Sequence, residues 1–212
     1  MNRAAFVVFL AASSVAAQQR AIEPKDVEVF NRSVSSLSDG AKRGLRLSEH
    51  AGDGVAYLRG IELGKGTIEF DVKGKDVQGQ SFVGVAFHGV DGTTYDAIYF
   101  RPFNFRAEDP ARRSHAVQYV SHPTYTWQKL RAERAGAFEQ PVSPAPDPNG
   151  WFHVRVVVAS PKVSVIVGDS KDPCLVVNLL NDRKKGLVGL WVGNNSGGDF
   201  ANFKIIPAPP PS

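Results

Sequence analysis

A two-residue alternation that returns in short runs most constrains what this chain can fold into. The stretch "GTIEFDVKGK" sets Ile68, Phe70 and Val72 against Thr67, Glu69 and Asp71. Likewise "WFHVRVVVA" sets Phe152, Val154, Val156 and Val158 against Trp151, His153 and Arg155. Successive side chains of an extended chain point to opposite faces, so each run offers one apolar face and one polar face. On this pattern Glu69 and Asp71 are solvated outer-face residues. Further short runs follow at "KVSVIVGDS", "CLVVNLL", "GLVGLWVGN" and "FANFKIIP", and no long segment carries apolar residues at helical spacing. Short strands with turn residues roughly every 8–12 positions predict an all-β, two-sheet antiparallel sandwich of the jelly-roll kind.

The residue pattern is enough to set one hairpin in register. In "SFVGVAFHGVDGTTYDAIYFRPF" the pair Asp91-Gly92 is a favoured centre for a two-residue turn, because both positions need positive φ. A turn that tight places Gly84 opposite Tyr99, Phe82 opposite Arg101 and Ala86 opposite Ala97. Val83, Val85 and Phe87 then share the core face with Ile98 and Phe100. The other face sets two minimal side chains, Gly84 and Ala86, beside Tyr99 and Arg101. That is a shallow floor with an aromatic and cationic wall. Either it relieves crowding under a covering loop, or it is shaped to hold something.

The chain ends carry their own signals. "MNRAAFVVFLAASSVAAQQR" has the basic start, apolar centre and small-residue cleavage site of a secretory signal, with cleavage expected near Ala17. Its apolar run is too short to span a bilayer, and no later run reaches the ~20 apolar residues a membrane helix needs. The expected organisation is a signal over 1–17, one β domain over 18–206 and a proline-rich tail over 207–212. A secreted or periplasmic location follows, without membrane insertion. Cys174 is the single cysteine, so no internal disulfide can form. A lone thiol fits a bacterial periplasm or surface, and Cys174 reads as a small buried hydrophobe. The formal charge of +4 is spread along the chain, with short basic clusters at 111–115 and 183–185. Nucleic acid is not an expected partner, since its recognition calls for a denser basic stripe.

Residues 107–150 break the pattern: they are polar, proline-rich and hold one obvious strand, "HAVQYVSH". Together with "YFRPFNFR" just before them, they concentrate large rings and planar polar groups. Tyr99, Phe103, Tyr119, Tyr125 and Trp127 could stack on the apolar faces of sugar rings. Arg101, Asn104, Arg106, His115, Gln118 and His122 could bond sugar hydroxyls. The candidate ligand-binding set is therefore Tyr99, Arg101, Asn104, Arg106, His115, Gln118, Tyr119, His122 and Trp127. For any one of them the plainer assignment is core packing, as for Phe103, Phe105 and Tyr119, or surface pairing of the arginines with Glu108, Asp109 or Glu133. Candidate acid–base groups for hydrolysis are His115, His122, Glu133 and Glu139. His115 and His122 stand an odd number of residues apart and would face opposite ways on one continuous strand. Asp91, Asp96, Asp169, Asp172 and Asp199 lie near predicted turns without a contiguous calcium-ligand run, so no cofactor is expected, a structural calcium being conceivable and not indicated.

"GWFHVRVVVASPKVSVIVGDSKDPCLVV" followed by "KGLVGLWVGNNSGGDFANFKI" resembles the concanavalin A-like jelly rolls. The resemblance is strongest to laminin-G-like domains and to a bacterial family of 3-keto-disaccharide hydrolases or domains of unknown function. It spans most of residues 40–206 and implies the fold more than the activity, because lectins, hydrolases and adhesion modules share it. Jelly-roll glucanases would carry Glu-x-Asp-x-x-Glu on a strand; here Glu69 and Asp71 begin that spacing, and Gly74 stands where the second glutamate belongs. A saccharide-binding module is the function expected. A glycoside-cleaving enzyme and a protein-interaction module are its alternatives.

Overall fold

A computed structural model describes residues 21–209; the segment assigned above to a secretory signal lies outside them, as do residues 210–212 of the tail. The strands in chain order are β1 (Val27–Phe30), β2 (Val34–Asp39), β3 (Lys42–Leu47), β4 (Gly54–Leu63), β5 (Gly66–Lys73), β6 (Val83–Gly89), β7 (Tyr95–Phe100), β8 (Val117–His122), β9 (Glu139–Gln140), β10 (Phe152–Ala159), β11 (Lys162–Val167), β12 (Leu175–Asn178), β13 (Gly186–Val192) and β14 (Gly198–Pro207). They form two antiparallel seven-stranded sheets. One runs β1-β4-β13-β6-β7-β8-β9, the other β12-β11-β10-β5-β14-β3-β2.

The alternating runs do what their pattern requires. Phe152, Val154, Val156 and Val158 of β10 are buried, and so are Ile68, Phe70 and Val72 beside them on β5. They meet Val83, Val85, Ile98 and Phe100 of the facing sheet in one core. Burial of such apolar area, at about 25 cal/mol per Å², is what holds the two layers together. Asp71, expected on a solvated face, is instead buried: it pairs with Lys42 and His153 and accepts from Asn202, so neighbours on three strands close over it. Burial alone would raise its pKa, yet those hydrogen bonds hold it below the usual carboxylate range. Glu69 is half-buried and pairs with Arg155.

The β6–β7 register is the predicted one, with Gly84 opposite Tyr99 and Ala86 opposite Ala97. Its turn is different. The Val90 amide donates to the Thr94 carbonyl, and neither Asp91 nor Gly92 adopts positive φ. Asp91 Oδ1 accepts from the amides of Thr93 and Thr94, each at 2.7 Å, and this side-chain cap organises a wider loop. Cys174 is half-buried beside β11, its thiol on the Val165 carbonyl, and burial pushes its pKa up to about 11.

Every residue of β6 and β7 is buried, on both faces. The long insertion is the cause. After Phe100 the chain forms α1 (Pro102–Phe105) and α2 (Pro110–Arg113), returns as β8, and then makes α3 (Trp127–Glu133) before β9. Pro102 opens α1 because its missing N–H and fixed φ suit a first helical turn. The Thr126 hydroxyl caps α3 by accepting from the Lys129 amide. These pieces rise over the outer face of the first sheet and leave a cleft between them.

Candidate functional site

The cleft has a volume of about 690 Å³ and lies over the outer face of β6, β7, β8 and β13. That is within the range of sites that hold small ligands. Its floor follows from strand parity. Tyr99 and Trp191 both flank Gly84, one on each neighbouring strand, and strands two apart in a sheet are separated by roughly 9.6 Å. Over the glycine the two rings lean together until their centroids are 4.8 Å apart. A Cβ at position 84 would come within 2.1 Å of the Ile98 carbonyl oxygen, so the floor requires glycine there. Phe82 continues the aromatic surface, edge-on to Phe103 at 5.5 Å.

At one end of the floor a buried polar group is built around Arg101, which is only 5 % exposed. Its Nη2 donates to the Tyr99 hydroxyl at 2.7 Å and to Gln118 Oε1 at 2.5 Å, and its Nη1 to the His115 carbonyl at 2.8 Å. Tyr99 donates to the same Gln118 oxygen at 2.9 Å. Burial lowers the Arg101 pKa, although a guanidinium keeps its charge in proteins, and pushes that of Tyr99 up to about 12, which leaves it a neutral phenol at ordinary pH. Arg112 reaches in from α2, with its Nε on Asn104 Oδ1 and its Nη2 on the Phe103 carbonyl.

The other end is built around Asp53, on the connection into β4. Tyr95 donates to Asp53 Oδ2 at 3.1 Å and accepts from Trp191 Nε1 at 3.1 Å. His122 stacks on Tyr95 at 5.1 Å, with its Nε2 4.0 Å from Asp53 Oδ2. Burial lowers the His122 pKa against the pull of Asp53, and burial likewise lowers that of His115. Overhead, Trp127 stands 41 % exposed with the Arg131 guanidinium 5.0 Å from its ring. Arg131 is anchored by two bonds to the buried Glu139. His115 Nδ1 also lies 2.8 Å from Glu139 Oε1, but off the line a hydrogen bond needs.

Of the residues picked from sequence, Tyr99, Arg101, Asn104, His115, His122 and Trp127 line this cleft. Gln118 lies beneath them, fully buried. Tyr119 points the other way, into the core, where its hydroxyl donates to Asp96 Oδ1 at 2.7 Å. Arg106 is exposed and reaches the Ala145 carbonyl instead. His115 and His122 do share a face, contrary to the strand argument. Regular pairing starts only at Val117, and His115 sits in the turn after α2 with its amide on the Arg112 carbonyl. Asp96, expected near a turn, is a wholly buried β7 residue. Sequence reading missed Asp53, Arg112, Arg131 and Trp191. Parity within "GLVGLWVGN" sets Trp191 opposite in facing to Leu190 and Val192; no local pattern marks the other three. Among the described residues, no group of three or more His, Cys, Asp or Glu is placed to hold a metal ion, and no helix is long and apolar enough to cross a membrane.

No protein-family model matches the chain, and no curated protein does. Solved structures do match its fold. Carbohydrate binding module CBM66 from Bacillus subtilis superposes with a TM-score of 0.59 at 14% identity, over 85% of this chain and 95% of that one. A protein of unknown function with a galectin-like fold from Bacillus subtilis gives a TM-score of 0.55 at 12% identity, over 87% and 92% of the two chains. A glycoside hydrolase family 16 endo-glucanase from Bacteroides ovatus gives a TM-score of 0.55 at 11% identity, over 87% and 96%. The fold is therefore the concanavalin A-like jelly-roll sandwich that the sequence resemblance implied.

Proposed function

We propose that this protein is an exported module that binds a saccharide in the cleft over β6, β7, β8 and β13. The observation that carries the reading is the alternation of rings with planar polar groups around one cavity. Trp127, Trp191 and Phe82 offer flat apolar surface, while Arg101, Asn104 and Arg112 offer fixed hydrogen-bonding groups between them. A sugar ring has apolar C–H faces and a rim of hydroxyls, and needs both. The structural neighbours include a carbohydrate-binding module and a glycoside hydrolase, which lends the reading support at the level of fold. Binding is favoured over two-carboxylate hydrolysis because Asp53 is the one carboxylate among the residues lining the cleft.

The test is a glycan-array screen of the folded protein beside Trp127→Ala, with mass spectrometry of every bound glycan. Trp127 is half in solvent, so its loss leaves the fold intact and lowers affinity at least tenfold, the bound sugar being recovered whole. A cleaved sugar would move the protein to the hydrolases. Absence of binding to any glycan would overturn the saccharide reading.

A further inference from the structure

The two ends of the cleft differ in the balance of donors and acceptors. Around Arg101 the acceptors are already used. Gln118 Oε1 takes two hydrogen bonds, from Tyr99 and Arg101. The His115 carbonyl takes Arg101 Nη1 and Asn104 Nδ2, and Asn104 Oδ1 takes Arg112 Nε. Glu139 carries both bonds from Arg131. Donors remain. Gln118 is wholly buried beneath the cleft lining, and its Nε2 has no partner among the described residues, though a ligand in the cleft would not touch it. Its amide cannot be turned round to cure this, because Arg101 is an obligate donor and needs the oxygen where it is. Arg101 Nε makes no hydrogen bond among the described residues, and its Nη1 comes no nearer than 3.9 Å to a carboxylate, that of Glu139. Among the described residues Arg112 has no carboxylate within ion-pairing distance, and its Nη1 makes no hydrogen bond.

Arg101 and Arg112 line the cleft, so their unused N–H groups are the ones a ligand can reach, and that end suits an acceptor-rich group. A sugar hydroxyl answers poorly, since it brings a donor with each acceptor. An ionised carboxylate accepts only, and its planar pair of oxygens matches a guanidinium fork. We propose that the Arg101–Arg112 end of the cleft takes the carboxylate of an acidic sugar, so that the ligand is a uronic-acid-containing saccharide. The proposal rests on the saccharide reading above and specifies its ligand. Polarity along the cleft then orients the chain. Tyr95, beside Asp53, and Arg101 are six residues apart on one extended run, roughly 20 Å. The neutral part of the saccharide lies toward Asp53 and His122, away from the arginines.

The experiment is calorimetric titration with oligogalacturonates, oligoglucuronates and the carboxyl-reduced neutral form of each. Wild type, Arg112→Ala, Arg112→Lys and Lys162→Ala are compared; Lys162 is exposed on the opposite sheet. Wild type prefers one acidic series over its reduced form by roughly ten- to a hundredfold, the size of a charge-assisted hydrogen-bonding pair. Arg112→Ala abolishes that preference. Arg112→Lys keeps the charge without the fork and restores only part of it, while Lys162→Ala behaves as wild type. Polyglutamate of matched charge does not compete, which separates the site from general attraction to a chain of formal charge +4. Equal binding of acidic and reduced sugars overturns the carboxylate assignment and leaves saccharide binding standing. A preference for sulfated over carboxylated chains also overturns it. No binding of either series, with no hit on the array, overturns both readings.

Discussion

Strands β7 and β8 carry two polar centres, one on each face, and the centres are built on opposite principles. Facing inward, Asp96 is a wholly buried acceptor surrounded by donors: His88 Nδ1 at 3.1 Å, Tyr119 at 2.7 Å, Asn181 at 2.6 Å and Arg183 at 3.3 Å. Facing outward, Arg101 is a buried cation whose acceptors are neutral oxygens of Tyr99, Gln118 and the His115 backbone. The inner centre is closed around its charge. The outer one is short of negative charge and opens onto the cleft. A satisfied buried network fixes a fold, whereas a network with donors left over is suited to receive a ligand. Each centre keeps a buried donor without a partner among the described residues, Arg183 Nε inside and Gln118 Nε2 outside. What separates them is that Arg101 lines the cleft and Asp96 does not.

The largest effect that would break this contrast is on stability. Asp96→Ala strips the acceptor from four donors at once and is expected to cost about 3–5 kcal/mol in urea unfolding at neutral pH. A loss below about 1 kcal/mol would mean that the inner centre is not the structural one.

The same chemical change can then be made on each face. Tyr119→Phe removes a donor to Asp96 and the acceptor of the Leu180 amide, inside the core, and should cost about 1–3 kcal/mol. Tyr99→Phe removes a donor to Gln118 and the acceptor of an Arg101 bond, but beside a cleft from which water can enter, and should cost about 1 kcal/mol or less. Ligand affinity should follow the reverse order, falling for Tyr99→Phe and holding for Tyr119→Phe. Equal stability costs with equal affinities would erase the distinction between the faces.

How much of this could be read from the chain depends on how local each feature is. The sandwich is legible because alternation is a two-residue signal, and the register of β6 on β7 held although the turn was of another kind. Burial of Val83, Val85, Ile98 and Phe100 specifies that register, since a one-residue slip of β7 on β6 would turn Ile98 and Phe100 out of the core that Val83 and Val85 face. The candidate site is legible only where it lies on one stretch. Tyr99, Arg101, Asn104 and Trp127 come from the aromatic-rich segment and the insertion behind it. Asp53, on the connection into β4, and Trp191, on β13, arrive from segments distant in sequence, and no local pattern reports that they meet the insertion. Tyr119 shows a limit of a different sort. Neighbours on a strand face opposite ways, so Gln118 and Tyr119 could not both belong to one face, and parity alone would have removed one of them.

The smallest expected effect is on proton linkage, and it too separates the centres. Asp96 is pushed up by burial but held below its ordinary 3.8 by His88, Asn181 and Tyr119. Its contribution is present above that unfolded value and is lost only as pH falls through its lowered folded value. The cleft histidines act earlier. Burial lowers His115 and His122 from 6.5, so on acidification the unfolded chain takes up protons before the folded one does. Their contribution to stability should therefore decline gently as pH drops from 6.5 toward their folded values. Urea midpoints between about pH 7.5 and 5 measure it, and His122→Gln should flatten part of it. A midpoint that rises on acidification would mean that the histidines are held as cations, and that the Asp53 end of the cleft is the stronger of its two electrostatic poles.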